Sequence, residues 1–485
     1  MGFRRMKIGL ITPYTGGNLG DAAIQHAVIT NIQNLVDRPD IVLFTLDPES
    51  TTRIHRVPSY PITALYISSY STCLRSALHT ARHGANSVGG RFELVRNFRQ
   101  RLRRLSPGIF AVLSGVISML RWILKLVPVV LNELRHLAAM RELLKDFDLL
   151  IVSGGGQIDE YWGGPFGQPY VLWKWSSLAH KTKTRFVFLS VGVCTLSSAL
   201  GRFFMARALK GASYRSYRDA RSKELLQRVK CTHADLVLPD LAFSYPLDES
   251  TPPRKAIGNR QIVVGVSPIA YLLEGHWPKT NVALHERYYR TLHAFIEDLT
   301  RRGISVVLFT TDEVDRLVVN RLADSLEVIH SSCKSRIRVS QSASVDDLFR
   351  EFQQFDYVVA SRLHGVILSH LALLPVLALS YDRKVDTHMA EMNQSQYCLN
   401  IHTSESNHLL MGLEALTANA EDLREALRHK TGEYRSALRQ QYRNTVGIAC
   451  NGGEGRSSHE GQMSRKIPLR PKEPLVTMQG PASLR

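Results

Sequence analysis

Short apolar segments rich in β-branched residues alternate along this chain with segments of helical periodicity. Two of the helical segments are Asp21–Leu35, in which Ile24, Val28 and Ile32 share one face, and Glu286–Arg302. The clearest strand-like segments are Lys7–Thr12, Asp148–Val152, Phe186–Val191, Ile262–Val266, Ile304–Phe309, Tyr357–Ala360 and Val376–Leu379. Strands that alternate with helices predict an α/β fold, with parallel sheets that helices cover on both faces.

The length of the chain, 485 residues, exceeds what one hydrophobic core usually serves. We therefore predict two Rossmann-like domains facing across a cleft, over residues 1–250 and 260–447. The segment Pro246–Arg260 has three prolines and is the predicted linker. Residues 448–485 are the predicted disordered tail, because Asn451–Arg485 is rich in Gly, Ser and Pro without apolar periodicity.

A basic segment over residues 91–145 interrupts the alternation of strands and helices. It carries eleven Lys and Arg residues against three Glu, and Phe92, Val95 and Phe98 recur in it at helical spacing. The apolar run Gly108–Leu120 is shorter than the roughly 20 residues that a membrane span needs. We predict a helical insertion that lies in the membrane interface, or else a helical lid packed on the protein itself.

The net charge and the cysteine spacing limit the classes of protein to which this chain can belong. A formal net charge of +18 favours anionic partners, although much of such an excess can be solvated surface. The six cysteines are far apart and form no CxxC pair, which argues against a zinc site and a disulfide scaffold. With no signal-peptide pattern at the N-terminus, these features predict a cytoplasmic protein.

Two glycine-rich turns follow predicted strands. In the first, Thr15–Asp21, Asn18 and Asp21 could hold sugar hydroxyls, Asp21 could act as a base, or Asp21 could simply cap the following helix. In the second, Gly154, Gly155 and Gly156 leave no side chain between the backbone and a ligand, and Asp159 follows. Strand ends of this kind form the ligand crevice of open α/β sheets, so we predict binding sites there.

Three further segments carry charge beside predicted strands. Arg218 could clamp a carboxylate or phosphate, or Arg218 and Asp219 could simply form a surface pair or a helix cap. Arg362 and His364, in the sequence Ser-Arg-Leu-His-Gly, bring a fixed charge and a titratable group to the mouth of a sheet, where function is more common than a structural role. Lys384 could reach an anion in the same crevice or be a solvated loop charge.

These segments in this order resemble the polysaccharide pyruvyl transferase family. The resembling stretches are Gly16–Gln25, Val152–Gly164, Ser216–Leu226, Pro239–Pro246, Gly265–Tyr271 and Ser361–Val385. The resemblance implies a fold like the two-domain GT-B arrangement of glycosyltransferases. The chain departs from the family pattern at Ala22 and Ala23, which replace an acidic residue that often follows the Gly-Asp pair.

The resemblance also implies an activity and a set of site residues. The family transfers pyruvate from phosphoenolpyruvate to two hydroxyls of one sugar, forms a ketal, releases phosphate and needs no metal or organic cofactor. Arg218, Arg362, Leu363 and His364 would bind phosphoenolpyruvate, with His364 also in the chemistry. Asp21, the Gly154–Gly156 turn and Lys384 match family positions of less defined role.

The expected acceptor is a sugar of a polysaccharide, or of its precursor on a polyprenyl diphosphate at the cytoplasmic face of the inner membrane. Two alternatives stay open: a glycosyltransferase of similar shape that uses a nucleotide sugar, and a non-catalytic protein that binds an anionic polymer. A nucleic acid is not expected as a partner, because the sequence has no recognised motif for one and no basic patch interleaved with aromatic residues.

Overall fold

The N-terminal half of the chain is built on one parallel sheet. The computed structural model describes residues 5–65, 127–161, 163–228, 235–247, 261–277, 279–329 and 336–450. The strands of the first sheet are β1 (Lys7–Ile11), β2 (Asp40–Thr45), β3 (Ser59–Pro61), β4 (Leu149–Ser153), β5 (Arg185–Val191), β6 (Tyr214–Tyr217) and β7 (Leu236–Val237). They lie in the order β3-β2-β1-β4-β5-β6-β7, and every neighbouring pair is parallel.

Helices connect these strands, as parallel pairing requires. They are α1 (Leu19–Leu35), α2 (Pro48–His55), α3 (residues 127–143), α4 (Gln168–Thr182), α5 (Ala199–Lys210) and α6 (Ala220–Gln227). The first sheet is buried on both faces, since neighbouring side chains such as Leu150 and Ile151 of β4 belong to two different apolar clusters. That burial explains why the strand segments read as continuous apolar runs.

The C-terminal half repeats the same topology. Its strands are β8 (Val263–Ser267), β9 (Ser305–Leu308), β10 (Ile337–Val339), β11 (Tyr357–Ala360), β12 (Val376–Ser380) and β13 (Cys398–Asn400), in the order β10-β9-β8-β11-β12-β13. Its helices are α7 (Val282–Arg301), α8 (Arg316–Ile329), α9 (Val345–Phe352), α10 (Leu363–Leu371), α11 (Arg383–Glu391), α12 (Ser406–Ala418) and α13 (Ala420–Cys450). Two doubly wound parallel sheets confirm the predicted α/β class, and all seven predicted strands are present within a residue or two.

Helix α13 connects the C-terminal part of the chain back to the first sheet. Gln441 Nε2 donates to Ser190 Oγ at 3.1 Å, and the Tyr442 hydroxyl lies 3.0 Å from Ser244 Oγ. The helix continues to Cys450, so the residues 448–450 that we assigned to the disordered tail are helical. The first sheet therefore takes one of its packing partners from outside the predicted N-terminal domain.

Several sequence predictions fall outside the described residues: most of the basic insertion before residue 127, most of the linker, and the tail after residue 450. Within the insertion, residues 127–143 are helical, and the helical stretches predicted from the spacing before residue 121 lie outside the described residues. Among the helices that the structure describes, none is both long and apolar enough to cross a membrane.

Candidate functional site

The candidate site lies at the carboxyl ends of the central strands in both sheets. Each sheet reverses its strand order at one point, between β1 and β4 in the first and between β8 and β11 in the second. Ligands of doubly wound folds bind at such reversal points. The two glycine-rich turns and the Ser361–Gly365 segment all follow these strands, so the topology brings the predicted motifs to one region.

The turn after β1 connects the two halves. Asn18 caps α1, because its side-chain oxygen accepts from the Asp21 backbone N–H at 3.0 Å. Its Nδ2 donates to Asp312 Oδ2 at 3.1 Å, and the Leu19 N–H donates to the Thr311 carbonyl at 2.8 Å. The alternative that Asp21 is the cap is therefore wrong, and the Asn18 amide is engaged at both ends within the protein.

The turn after β4 approaches α1 closely. Gly154 and Gly155 have φ values of +58° and +71°, a region that residues with a side chain rarely adopt. A Cβ on Gly154 would lie 2.9 Å from Leu241, and one on Gly155 would lie 3.7 Å from Asp21 Oδ1. Glycine is required by this conformation at both positions, and at Gly154 also by the lack of space.

Arg218 is buried at the end of β6. Its Nη1 donates to Asp240 Oδ2 at 3.3 Å, and its Nε lies 3.5 Å from Asp219 Oδ2. Asp219 also caps α6 by accepting from the Ser222 N–H at 2.6 Å. The guanidinium lies so close to the Gly192 backbone that a Cβ there would be 2.6 Å from Nη2. The Arg218–Asp219 pair is thus part of the interior, so the surface pair is wrong, whereas the helix cap that was the other alternative is present at Asp219.

Asp240 brings Arg218 and His364 together from the two halves. His364 Nε2 lies 3.8 Å from Asp240 Oδ2, an ionic distance rather than a hydrogen bond. Burial alone would raise the pKa of Asp240, but the charges of His364 and Arg218 hold that pKa well below its usual range. The imidazole also lies against Gly20 in the first turn of α1, where any side chain would overlap the ring.

Two predicted carboxylates lie in the electrostatic field of this group. Burial raises the pKa of Asp21, while the charges of His364 and Lys384 oppose the shift. Burial also raises the pKa of Asp159, which accepts from the Tyr161 N–H at 2.9 Å and is again opposed by Lys384. A carboxylate with a raised pKa is a stronger base than an ordinary one.

Lys384 is in the first turn of α11 and is partly buried, so the solvated-loop alternative is wrong. Its ammonium lies 5.1 Å from the centre of the Tyr381 ring. Burial would lower the pKa of Lys384, but Tyr381, Cys194 and Asp382 together raise it. The amine therefore stays a cation at neutral pH.

Arg362 is held by two aspartates of the loop after β9. Its Nε and Nη2 donate to the two oxygens of Asp315, at 2.7 and 2.9 Å, which is a bidentate pair. Its Nη1 lies 3.3 Å from Asp312 Oδ2. Asp312 in turn accepts from Asn18. The side chain of Arg362 thus joins the candidate site through Asp312.

A small pocket, partly open to solvent and with room for about one water molecule, adjoins this cluster. Its lining includes the predicted residues Arg218, Leu363 and Lys384, and also His388 and Glu391. Burial raises the pKa of Glu391 to about 7, with a further rise from Asp219 and an opposing effect of Arg218. Among the residues that the structure describes, no three or more His, Cys, Asp or Glu are grouped so as to hold a metal ion.

Sequence reasoning missed three acidic residues that organise the site. Asp240 stands in the stretch Pro239–Pro246, which we used only for the resemblance, and Asp312 and Asp315 follow the predicted strand Ile304–Phe309. Their position after strands was an available signal, because strand ends gather at one edge of a parallel sheet. Which arginine each would pair with was not readable from the chain.

Solved structures with a similar fold support the two-domain arrangement. A glycosyltransferase from Rickettsia africae ESF-5 matches with a TM-score of 0.50 and 11% identity, over 92% of this chain and 98% of that one. A putative UDP-N-acetylglucosamine 2-epimerase from Listeria monocytogenes matches with a TM-score of 0.51 and 10% identity, over 91% and 98%. At such identities the likeness shows the fold alone, which is GT-B-like with two Rossmann-like domains.

No curated protein matches this sequence significantly. The model of the polysaccharide pyruvyl transferases, in contrast, matches residues 18–383, a range that runs from the α1 cap through the Ser361–Gly365 segment to the start of α11. With most of the chain matched and the resembling stretches gathered at one cleft, the chain belongs to the polysaccharide pyruvyl transferase family.

Proposed function

We propose that this protein transfers pyruvate from phosphoenolpyruvate to two hydroxyls of one sugar, and that the reaction takes place beside Asp240. The observation that carries the proposal is the approach of Arg218 and His364, from separate halves of the chain, to one buried carboxylate. A guanidinium and an imidazole held in this way meet the two demands of the reaction, which are an anion site and a proton donor.

Phosphoenolpyruvate carries a carboxylate and a phosphate, and both lose hydration when they enter a cleft. Arg218 and Lys384 line the pocket and supply two cations to offset that cost. Arg362 keeps two nitrogens on Asp315, and we assign its Nη1, near Asp312, as the third contact to the donor. Because the bidentate pair fixes the guanidinium plane, that contact needs little further ordering.

The proposed transfer starts with a proton from His364 to the methylene carbon of phosphoenolpyruvate. The neighbouring carbon becomes electrophilic, and one sugar hydroxyl adds to it and loses its proton. The carbon–oxygen bond to phosphate then breaks, and the second hydroxyl adds in its place to close the ketal. Of the two hydroxyl protons, one replaces the proton given by His364 and the other leaves with phosphate.

Asp21 is our candidate for the base that takes the first hydroxyl proton. Its charge interacts with that of His364, so the donor and acceptor of protons are neighbours, and burial raises its pKa. Asp159 carries a raised pKa as well but is coupled mainly to Lys384. A proton donor beside a carboxylate of raised pKa is the arrangement that proton transfer in both directions needs.

The direct test is to incubate the protein with phosphoenolpyruvate and extracted polysaccharide or lipid-linked sugars, measure phosphate release, and identify a pyruvyl ketal by mass spectrometry. We expect His364→Ala to retain the fold and lose at least about a hundredfold in phosphate release. His408→Ala is a matched control, since His408 lies at the start of α12 and is exposed.

The competing activity is glycosyl transfer from a nucleotide sugar. A structure of a UDP-N-acetylglucosamine 2-epimerase from Neisseria meningitidis bound to UDP-GlcNAc matches with a TM-score of 0.50 and 10% identity, over 91% of this chain and 99% of that one. Release of free nucleotide from nucleotide sugars, without consumption of phosphoenolpyruvate, would show glycosyl transfer and contradict the proposed pyruvyl transfer. Tight binding of an anionic polymer with neither reaction would indicate a non-catalytic protein.

We also propose that the acceptor is carried on a lipid and that residues 91–145 bring the protein to the membrane. In the described part of this segment, Val130 and Leu134 are 51% and 55% exposed, as expected of a surface that meets lipid. Flotation with acidic vesicles tests this proposal. Equal binding by a variant that lacks the basic residues of the segment would reject it.

A further inference from the structure

A cluster of aromatic side chains lies at the mouth of the cleft, where both halves contribute. Tyr161 follows the glycine turn after β4, Tyr271 and Trp277 lie in the loop after β8, Tyr381 follows β12, and His402 follows β13. All five side chains are partly exposed. We call this group the aromatic platform. Because each member follows a strand, the platform is on the same edge of the sheets as Arg218 and His364.

The rings of the platform contact one another, mostly edge to face. The centroids of Tyr271 and Trp277 are 5.4 Å apart at an interplanar angle of 85°, and Tyr381 lies 5.5 Å from Tyr271. Tyr161, from the N-terminal half, lies 6.4 Å from Trp277 at 68°. The Tyr271 hydroxyl lies 3.4 Å from His402 Nε2. Mutual packing holds the rings in place, so a ligand there would meet a preformed surface.

The platform is continuous with the charged part of the site. Tyr161 is two residues after Asp159, and the Lys384 ammonium lies 5.1 Å from the Tyr381 ring centre. Asp382 lies near Tyr271 as well, since its charge adds to the effect of burial in raising the pKa of Tyr271. A molecule bound on the rings would therefore have the carboxylates of Asp159 and Asp382 and the Lys384 ammonium near its edge.

A sugar ring matches this combination of groups. A pyranose has apolar C–H faces that aromatic rings can cover, and a rim of hydroxyls that carboxylates, amines and phenols can bind. Phosphoenolpyruvate, a small dianion, has no apolar face of that kind and suits the arginine and lysine side chains instead. The aromatic platform, with polar groups at its edge, thus suits the sugar acceptor, whereas the cationic side chains suit the donor.

We propose that the aromatic platform binds the pyranose ring of the acceptor and directs its hydroxyl pair toward Asp21 and His364. This inference rests on the proposed pyruvyl transfer, because it names the acceptor side of that reaction. It assigns Trp277 and Tyr381 as specificity-determining residues and leaves donor binding to Arg218, Lys384 and Arg362.

The test separates acceptor binding from donor chemistry. Saturation-transfer NMR with methyl glycosides of galactose, glucose and mannose, without phosphoenolpyruvate, shows whether a sugar binds the protein. Steady-state phosphate release, with acceptor varied at saturating phosphoenolpyruvate, gives the acceptor KM. We expect Trp277→Leu and Tyr381→Leu each to raise that KM about tenfold and to weaken the NMR signal. The phosphoenolpyruvate KM should stay unchanged within twofold in Trp277→Leu, whereas Tyr381→Leu also removes the ring beside the Lys384 ammonium.

Phe203→Leu is the matched control, because Phe203 is an exposed aromatic residue of α5, outside the loops that form the platform. Unchanged acceptor KM and unchanged glycoside binding in both platform variants, with normal thermal unfolding, would overturn the inference while the proposed function stands. Displacement of the glycosides by uridine diphosphate would overturn it in favour of a nucleotide site. If the wild type binds glycosides but never consumes phosphoenolpyruvate, the proposed function fails and the sugar platform remains.

Discussion

His364 occupies the space that a side chain at Gly20 would need. The imidazole lies against the first turn of α1. His364, from the C-terminal half, therefore needs a residue without a side chain at position 20 of the N-terminal half. Gly20 is the second residue of α1, and no side chain at this position would fit against the imidazole. The glycine thus leaves the space in which His364 lies next to Asp240.

Gly20→Ala is expected to displace the His364 ring. We predict a loss of at least about tenfold in phosphate release, because small displacements of a reacting group are costly. The free energy of unfolding should fall by about 1–3 kcal/mol, because the new Cβ would lie 2.2 Å from the imidazole ring. Gly17→Ala is the control, since its Cβ would lie 3.4 Å from Glu313, an ordinary contact. Equal rates in the two variants would contradict the placement of His364.

Arg362→Gln is expected to destabilise the fold as well as weaken donor binding. It leaves Asp315, whose side chain is 0% exposed, without its bidentate partner. Removal of one member of a buried ion pair typically costs about 3–5 kcal/mol. Urea unfolding of the variant measures the loss, and addition of Asp315→Asn should restore part of it. If the double variant regains stability but not phosphoenolpyruvate binding, Arg362 contacts the donor.

Glu391 is expected to make donor binding depend on pH. Its pKa of about 7 means that a carboxylate forms in the pocket beside Arg218 as the pH rises through neutrality. We predict that the phosphoenolpyruvate KM rises between pH 6 and pH 8 in the wild type and stays flatter in Glu391→Gln. Glu433→Gln, an exposed change, should behave as the wild type.

The same residue gives a prediction for stability. The pKa of Glu391 is raised in the folded state, so the folded protein binds more protons than the unfolded chain between about pH 4.5 and 7. Its contribution to the free energy of unfolding therefore falls as the pH rises through that window. Glu391→Gln should flatten this fall in urea titrations at pH 5 and pH 8; an unchanged slope would contradict the raised pKa.

Glu133 and Lys174 connect α3 to α4 by a buried ion pair, with Oε1 and Nζ 2.5 Å apart and both side chains at most 5% exposed. Glu133 also accepts from the Ala64 backbone N–H at 2.9 Å. We predict that Lys174→Met lowers the free energy of unfolding by about 3–5 kcal/mol, while the double variant with Glu133→Gln loses less. Thermal or urea unfolding of the wild type, Lys174→Met and the double variant measures these losses. A double variant that loses more stability than Lys174→Met alone would argue against the ion pair.

The sequence by itself determined the alternation of strands and helices and the position of the motifs at strand ends. Both are local properties: an apolar run of β-branched residues favours a strand, and Gly154 and Gly155 are read from the turn that they permit. The predicted strand segments also lacked β2, although its apolar run Ile41–Phe44 was an available signal. The short strands β3, β7, β10 and β13 were missed because two or three residues carry too little pattern to be distinguished from loops.

Only the tertiary structure decided which charges meet. Arg218 and Arg362 looked equivalent in the sequence, yet one pairs with Asp240 beside His364 and the other with Asp315. The aromatic platform likewise joins loops that are more than a hundred residues apart, from Tyr161 to Trp277. Such meetings depend on the order of strands within each sheet and on the packing of the two halves, which are set by the burial of the whole core rather than by any local segment.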